Sequence, residues 1–193
     1  LNTGGGVDTD ALARLCEIQI EAGIDGLFVL GTTGEFYGLT LAQRRTVVGN
    51  VLENVNGRIP VVAGITGYSS ASAVETFRAC RHDGLAGYVS STPYFMHYRQ
   101  EELADYFRRL ADIVEQPLIL YNFPARYGQR IEIDTIHALL TDGHVSAIKD
   151  SEGDPAYMRR LLELKESFPS FGVFEGVLAN LAGSAPLGID GSV

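Results

Sequence analysis

Short runs of consecutive apolar residues alternate with amphipathic stretches along the whole chain. The runs that read as strands are residues 26–30, 60–65, 87–91, 117–122, 145–149 and 172–175, with a further start at Gly191. Several are apolar on successive residues instead of alternate ones, the pattern of parallel strands covered on both faces. Most lie about thirty residues apart, the size of one strand–helix unit. Between them, Thr40 with Gln43 three residues later predicts a capping box. Asp154 before Pro155 predicts an N-cap and first helical position, ahead of Met158, Leu161 and Leu162. Leu103, Phe107, Leu110 and Val114 space out as one buried helical face. Gly23-Ile24-Asp25-Gly26 and His82-Asp83-Gly84 read as helix stops before the next strand.

Alternating strands and helices leave two α/β architectures, a doubly wound open sheet and a closed (β/α)8 barrel. Regular spacing and polar clusters after nearly every strand favour the (β/α)8 TIM barrel, whose active site gathers from many strand ends. The chain has no Gly-x-Gly-x-x-Gly turn between strand and helix, which weakens the dinucleotide-binding alternative. A flavodoxin-like module would place its ligand at a reversal of strand order instead of a ring centre. No linker or low-complexity segment divides residues 1–193, so one barrel domain is expected. The first residues read as a loop in mid-course and the last as a strand at its beginning, so the barrel is expected to be truncated at both ends.

Composition narrows the function classes. A chain of 193 residues with 46% hydrophobic and 20% charged residues is long enough for a substantial core. A net charge of −9 without any basic cluster argues against a nucleic-acid surface. Cys16 and Cys80, far apart and inside helical patterns, read as small core residues. No apolar segment reaches the length of a membrane span and no signal peptide opens the chain, so a cytoplasmic location is the default expectation. The histidines, His82, His97, His137 and His144, are scattered, which weakens a metal-dependent aldolase.

Candidate chemistry sits at the strand ends. The run 145–148 ends on Lys149, followed by Asp150-Ser151-Glu152-Gly153-Asp154. One repeat earlier, the run 117–120 ends on Tyr121-Asn122-Phe123-Pro124. A lysine in apolar surroundings loses its proton more easily, and the neutral amine can attack a ketone. The simpler reading of Lys149 taken alone is an ion pair with Asp150. The first strand ends in Gly31-Thr32-Thr33-Gly34-Glu35, where hydroxyls and backbone N–H groups between glycines can hold a carboxylate or simply form a tight turn. Arg126 could grip a second carboxylate or stand in solvent. Cradle, tyrosine, arginine and lysine all fall at one end of one repeat.

In order and spacing, Gly31-Thr32-Thr33-Gly34-Glu35, Pro93-Tyr94, Tyr121-Asn122-Phe123-Pro124 and Ile148-Lys149-Asp150 resemble the dihydrodipicolinate synthase/N-acetylneuraminate lyase family. The resemblance covers the whole chain. It implies a class I, Schiff-base-forming aldolase or lyase on a (β/α)8 barrel, a tetramer in most members, acting on pyruvate or a pyruvate-releasing 2-oxo acid without a cofactor. By position it implies Lys149 as the Schiff-base lysine, Tyr121 as the proton carrier, and Thr33 with the Thr32 backbone on the pyruvate carboxylate. It further implies a Thr32 hydroxyl linked to Tyr121, and Gly176 and Val193 lining the pocket by backbone atoms. Phe95 departs from the family's synthases and sialic-acid lyases, most of which lend a tyrosine there to a neighbouring subunit's relay. Arg126 matches the synthases, whereas sugar-acid aldolases often have a small or apolar residue there. The mixture fits a synthase-like paralogue; a 2-keto-3-deoxy sugar-acid aldolase, an N-acetylneuraminate lyase-like enzyme and a non-catalytic keto-acid-binding protein stay open beside it.

Overall fold

The six apolar runs and the start at Gly191 become strands, with helices between them. A computed structural model describes residues 1–193. Contacts divide them into two compact units, residues 1–65 with 75–88 and residues 66–74 with 89–193.

The first unit begins with α1 (Thr9–Glu21), capped by Asp8, whose carboxylate accepts from the Ala11 amide at 2.9 Å. Strand β1 (Leu27–Val29) follows, then α2 (Leu41–Val55) and β2 (Val61–Gly64). The predicted capping box opens α2: Gln43 N donates to Thr40 Oγ1 at 3.2 Å and Thr40 N donates to Gln43 Oε1 at 2.7 Å. Two orphan donors of the first turn are thus satisfied within four residues of chain. Strands β1 and β2 pair in parallel, Leu27 beside Val61 and Val29 beside Ala63. Val48, Val51 and Val55 on α2 are buried, as are Val61 and Ala63 on β2. Helix α3 (Ser70–Cys80) ends as expected at His82-Asp83-Gly84, where His82 Nδ1 accepts from Gly84 N at 3.1 Å. Cys16 and Cys80 are buried free thiols, and burial pushes Cys80 up to about 11.

The second unit carries β3 (Gly87–Ser91) from Val89 onward, α4 (Gln100–Val114), β4 (Leu118–Asn122), the short α5 (Pro124–Tyr127) and α6 (Ile133–Thr141). It continues through β5 (Ala147–Asp150), α7 (Pro155–Ser167), β6 (Gly172–Glu175), α8 (Leu181–Ser184) and β7 (Gly191–Ser192). Leu103, Phe107, Leu110 and Val114 are the buried face of α4, as their spacing predicts. Asp154 caps α7 by accepting from Ala156 N at 2.9 Å, with Pro155 in the first turn. Strands β4 to β7 pair in parallel in chain order. Strand order in this unit therefore never reverses, which removes the flavodoxin-like reading, since that reading needs a switch point.

One boundary differs in an informative way. The polar run after Lys149 reads as loop, yet β5 extends through Asp150, beside Asn122 on β4 and Glu175 on β6. The ladder carries on because Gly176 N donates to Asp150 O at 2.7 Å and Ser151 N to Asn122 O at 2.8 Å. Satisfied backbone groups make a strand here in spite of polar side chains.

Two glycines of the first unit should respond oppositely to alanine. A Cβ at Gly64 would stand 2.3 Å from the Leu30 carbonyl oxygen, which is backbone and cannot swing away. A Cβ at Gly49, inside α2, would meet nothing within 4 Å. Gly64→Ala is expected to cost about 1–3 kcal/mol, and Gly49→Ala to add about 0.5–1 kcal/mol. Urea melts of the two variants measure both signs.

Candidate active site

Parallel pairing of β4 with β5 sets Tyr121 directly beside Lys149, and pairing of β5 with β6 sets Phe174 on the other side. Side chains alternate across a strand, so these three share one face, and Asn122, Asp150 and Glu175 share the opposite one. The Lys149 amine lies 4.7 Å from the centre of the Tyr121 ring. Burial pulls the amine down to about 8, because a low-dielectric surrounding penalises the ammonium form. Lys149 and Lys165 are the protein's only lysines, and Lys165 is held at 2.5 Å by Asp190 in a partly exposed ion pair.

The ion-pair reading of Lys149 gives way to a different arrangement. Asp150, one residue on, faces away from the amine and accepts instead from Asn122 Nδ2 at 2.7 Å and Glu152 N at 3.3 Å. It is 1% exposed, and burial, with Glu152 and Glu175 adding to it, pushes its carboxyl up to about 6.

Gly176 belongs beside Lys149 for a steric reason. A Cβ there would fall 2.0 Å from Ser151 Oγ and 2.9 Å from Lys149 Cε, so only glycine leaves the lysine stem its course. Val193 follows β7 and donates its backbone N–H to Glu175 O at 2.9 Å. Lys149, Tyr121 and Gly176 are thus brought together, with Val193 beyond them at the end of the neighbouring strand.

Arg126 lies on α5, the turn of helix that follows β4, and is exposed. Its neighbour Tyr127 is buried and was not singled out by the sequence. Its ring packs 5.9 Å from that of Tyr121 and 6.4 Å from those of Phe123 and Tyr94, which makes an aromatic wall beside the candidate proton carrier. Only its place one residue after Arg126 could have drawn notice. Phe95 is 92% exposed with φ +89°, a left-handed backbone that phenylalanine rarely adopts.

Thr32 and Thr33 belong to the first unit. They open a turn after β1 in which Glu35 N donates to Thr32 O at 3.0 Å, with Glu35 itself left-handed at φ +51°. Thr33 is exposed and Thr32 half-buried. Across the whole chain, no three histidine, cysteine or carboxylate side chains gather closely enough to hold a metal ion, and no helix is long and apolar enough to cross a membrane.

Comparison with known proteins places this arrangement. Residues 1–193 match the Dihydrodipicolinate synthetase family throughout. The chain is 34% identical over 191 residues to the probable 2-dehydro-3-deoxy-D-pentonate aldolase YjhH of Escherichia coli, covering 98% of this chain and 64% of that protein. It is 36% identical over 160 residues to the 4-hydroxy-tetrahydrodipicolinate synthase of Pelobacter propionicus, covering 83% of this chain and 55% of that one. Among solved structures, YagE of Escherichia coli K12, a prophage protein of the dihydrodipicolinic acid synthase family in complex with pyruvate, superposes with a TM-score of 0.95 at 31% identity, over 100% of this chain and 65% of YagE. The fold is accordingly α/β, an incomplete (β/α)8 barrel. The chain spans less than two thirds of the length of these relatives.

Substituting the buried amine tests its electrostatics. Lys149 has a folded value of about 8 against about 10.4 in an unfolded chain. Below about pH 8 both states are protonated and the native state bears the full burial penalty; between about 8 and about 10.4 the unfolded state binds more protons, so stability rises with pH. Lys149→Met is therefore expected to raise stability at neutral pH by about 1–3 kcal/mol, allowing for the part of the amine still screened by water. The gain should fade across that window. Denaturant melts as a function of pH measure it, and a loss of stability at pH 7 would contradict the burial penalty.

Proposed function

The chain belongs to the dihydrodipicolinate synthetase family, and from that premise we propose that it forms a Schiff base between Lys149 and the ketone of pyruvate or of a pyruvate-releasing 2-oxo acid. The observation that carries the reading is the Lys149 amine, drawn down to about 8 by burial and placed 4.7 Å from the Tyr121 ring centre. At neutral pH an amine of this kind is unprotonated about one time in ten, whereas an ordinary lysine is so about one time in 2,500.

The neutral Nζ attacks the ketone carbon, and one proton passes from the nitrogen to the oxygen to give a neutral carbinolamine. Tyr121 supplies a proton to the departing hydroxyl, water leaves, and the nitrogen lone pair forms the C=N bond. The resulting iminium is the electron sink. It accepts the electron pair of a neighbouring C–H bond, whose proton returns to the Tyr121 phenolate, to make an enamine that can add to an aldehyde. When a larger 2-oxo acid is cleaved it accepts the pair of a C–C bond as the phenolate takes the proton of the neighbouring hydroxyl and an aldehyde departs. The electron sink is the lysine's own iminium, so this chemistry calls for no metal or organic cofactor. Thr33, with Thr32, is proposed to hold the carboxylate, and Arg126 a second carboxylate by bidentate contact. Gly176 and Val193 are proposed to line the pocket by their backbone.

Two sub-classes share this first half. Arg126 supports a 4-hydroxy-tetrahydrodipicolinate synthase-like second substrate. Phe95, without a hydroxyl, supports a paralogue such as a 2-keto-3-deoxy sugar-acid aldolase. By family resemblance the protein is proposed to act in the cytoplasm as a homo-oligomer, a tetramer in most members.

Borohydride reduction in the presence of pyruvate tests the reading. A reduced adduct is expected on the peptide carrying Lys149, with the Lys165 peptide unmodified and the adduct abolished in Lys149→Ala. Pyruvate binding without any adduct would replace the enzyme by a keto-acid-binding protein. In Tyr121→Phe the adduct should still form, while turnover falls about 10²–10⁴-fold from loss of the proton carrier; undiminished turnover would remove Tyr121 from the mechanism.

A further inference from the structure

Directly behind the Lys149–Tyr121 pair, on the opposite face of the same strands, stands a buried polar pair that the proposed chemistry does not use. Asn122 and Asp150 are register partners one step beyond Tyr121 and Lys149, and they are 0% and 1% exposed. Both polar atoms of the Asn122 side chain, and its backbone carbonyl, are engaged with other segments. Its Nδ2 donates to Asp150 Oδ1 at 2.7 Å and to Glu152 Oε2 at 3.1 Å. Its Oδ1 accepts from Ile131 N at 3.1 Å, and its carbonyl accepts from Ser151 N at 2.8 Å.

These bonds hold more than two strand ends. The bond from Ile131 N closes residues 122–131 into a loop, and that loop carries Arg126 and Tyr127. Glu152 in turn takes two hydrogen bonds from Arg130 Nε at 2.8 and 2.7 Å, and Arg130 also reaches Asp154 at 3.1 Å. The Arg130 guanidinium lies 4.8 Å from the centre of the Tyr157 ring, whose hydroxyl donates to Ile131 O at 2.5 Å. One network thus joins the end of β4, the end of β5 and the loop between them that bears the candidate second-carboxylate arginine.

Stability alone gives a poor account of this pair. An amide and a carboxylate buried together gain little over apolar side chains of the same shape, and replacing such pairs by apolar residues is often neutral or stabilising. Asp150 also leaves Oδ2 buried without a hydrogen-bond partner, an arrangement that costs free energy. What a directional bond supplies, and apolar packing does not, is a fixed offset between two neighbouring strands. A reacting amine and its proton carrier need that offset, since a displacement of about 1 Å can cost about 10²-fold in rate.

We infer that Asn122 and Asp150 are positioning residues, a side-chain clamp that sets Lys149 against Tyr121 and, through Glu152 and Arg130, sets the Arg126 loop against both. The clamp rests on the Schiff-base reading of Lys149 and acts through that pair without touching substrate.

The test compares the rate of borohydride-trapped imine formation at saturating pyruvate, the half-saturating pyruvate concentration and the melting temperature in four purified variants. Asn122→Leu removes the clamp's donor and acceptor, and Asn122→Ala does the same with a smaller side chain should the leucine not be accommodated. Asp150→Asn keeps an oxygen to accept from Asn122, removes the charge and puts an NH2 group in place of the unpartnered Oδ2. Leu139→Ala, a fully buried position on α6, lowers stability away from the clamp. The Asn122 variants are expected to form the imine about 10²-fold more slowly, with the half-saturating concentration little changed. Asp150→Asn should retain most of the wild-type rate, and Leu139→Ala should melt earlier without slowing. Asn122 variants that trap at the wild-type rate, or slow no more than Leu139→Ala, overturn the clamp while leaving the Schiff base in place. A wild-type protein that binds pyruvate and traps nothing overturns the Schiff-base reading and the clamp together.

Discussion

The local design turns on one constraint: an amine at the end of a strand must sit out of water, with the adjacent carboxylate of Asp150 turned away from it. Burial achieves the first half, and the two-residue period of the β-strand achieves the second. Lys149 and Asp150 are adjacent in sequence, yet successive side chains leave a strand on opposite faces, so the carboxylate that could have neutralised the ammonium is turned away from it. Had Asp150 faced the amine, its charge would have raised the lysine's value instead of letting burial lower it to about 8. The same alternation places Tyr121 beside the amine and Asn122 beside the carboxylate. One register thus sorts an apolar, aromatic candidate reaction face from a hydrogen-bonded face behind it.

Neighbouring residues make sense against this sorting. Gly176 has to lack a side chain, since a Cβ would press on both the lysine stem and the Ser151 hydroxyl. Tyr127 and Phe123 each pack a ring 5.9 Å from that of Tyr121. On the other face Asn122, Glu152 and Arg130 exchange hydrogen bonds that leave Asp150 with one satisfied oxygen and one bare. The carboxyl pays for that position by rising to about 6. Parallel strands that stay in chain order bring all of these residues to the same ends of β4, β5 and β6, the place where barrels of this class concentrate their chemistry.

Much of this was legible in the sequence, and the rest was hidden for identifiable reasons. The capping box at Thr40, the Asp154-Pro155 start of α7 and the buried stripe of α4 depend on residues within a turn or two of one another, and all three form as their patterns predict. Lys149 and Tyr121 could be found because each ends an apolar run. The direction in which Asp150 points could not, because it depends on how far the strand ladder extends, and that is decided by Asn122 and Gly176 from distant parts of the chain. Polar residues after Lys149 read as loop for the same reason. Tyr127 escaped notice because its significance is tertiary: nothing in Ala125-Arg126-Tyr127-Gly128 announces that the ring folds back against Tyr121. The Arg130–Glu152 contact, 22 residues apart in sequence, is likewise a property of folded loops and leaves no local pattern.

The most direct measurement of the central claim is the titration of Lys149 in the folded protein, followed by the 13Cε resonances of a lysine-labelled sample and assigned by comparison with Lys149→Met. With two lysines in the chain the spectrum is simple enough to read without crowding. Titration of the Lys149 signal with a midpoint near 8 would confirm that burial prepares the amine for attack. A midpoint near 10.4, the value of an amine in open water, would mean that the amine is solvated or countered by charge, and would contradict the account.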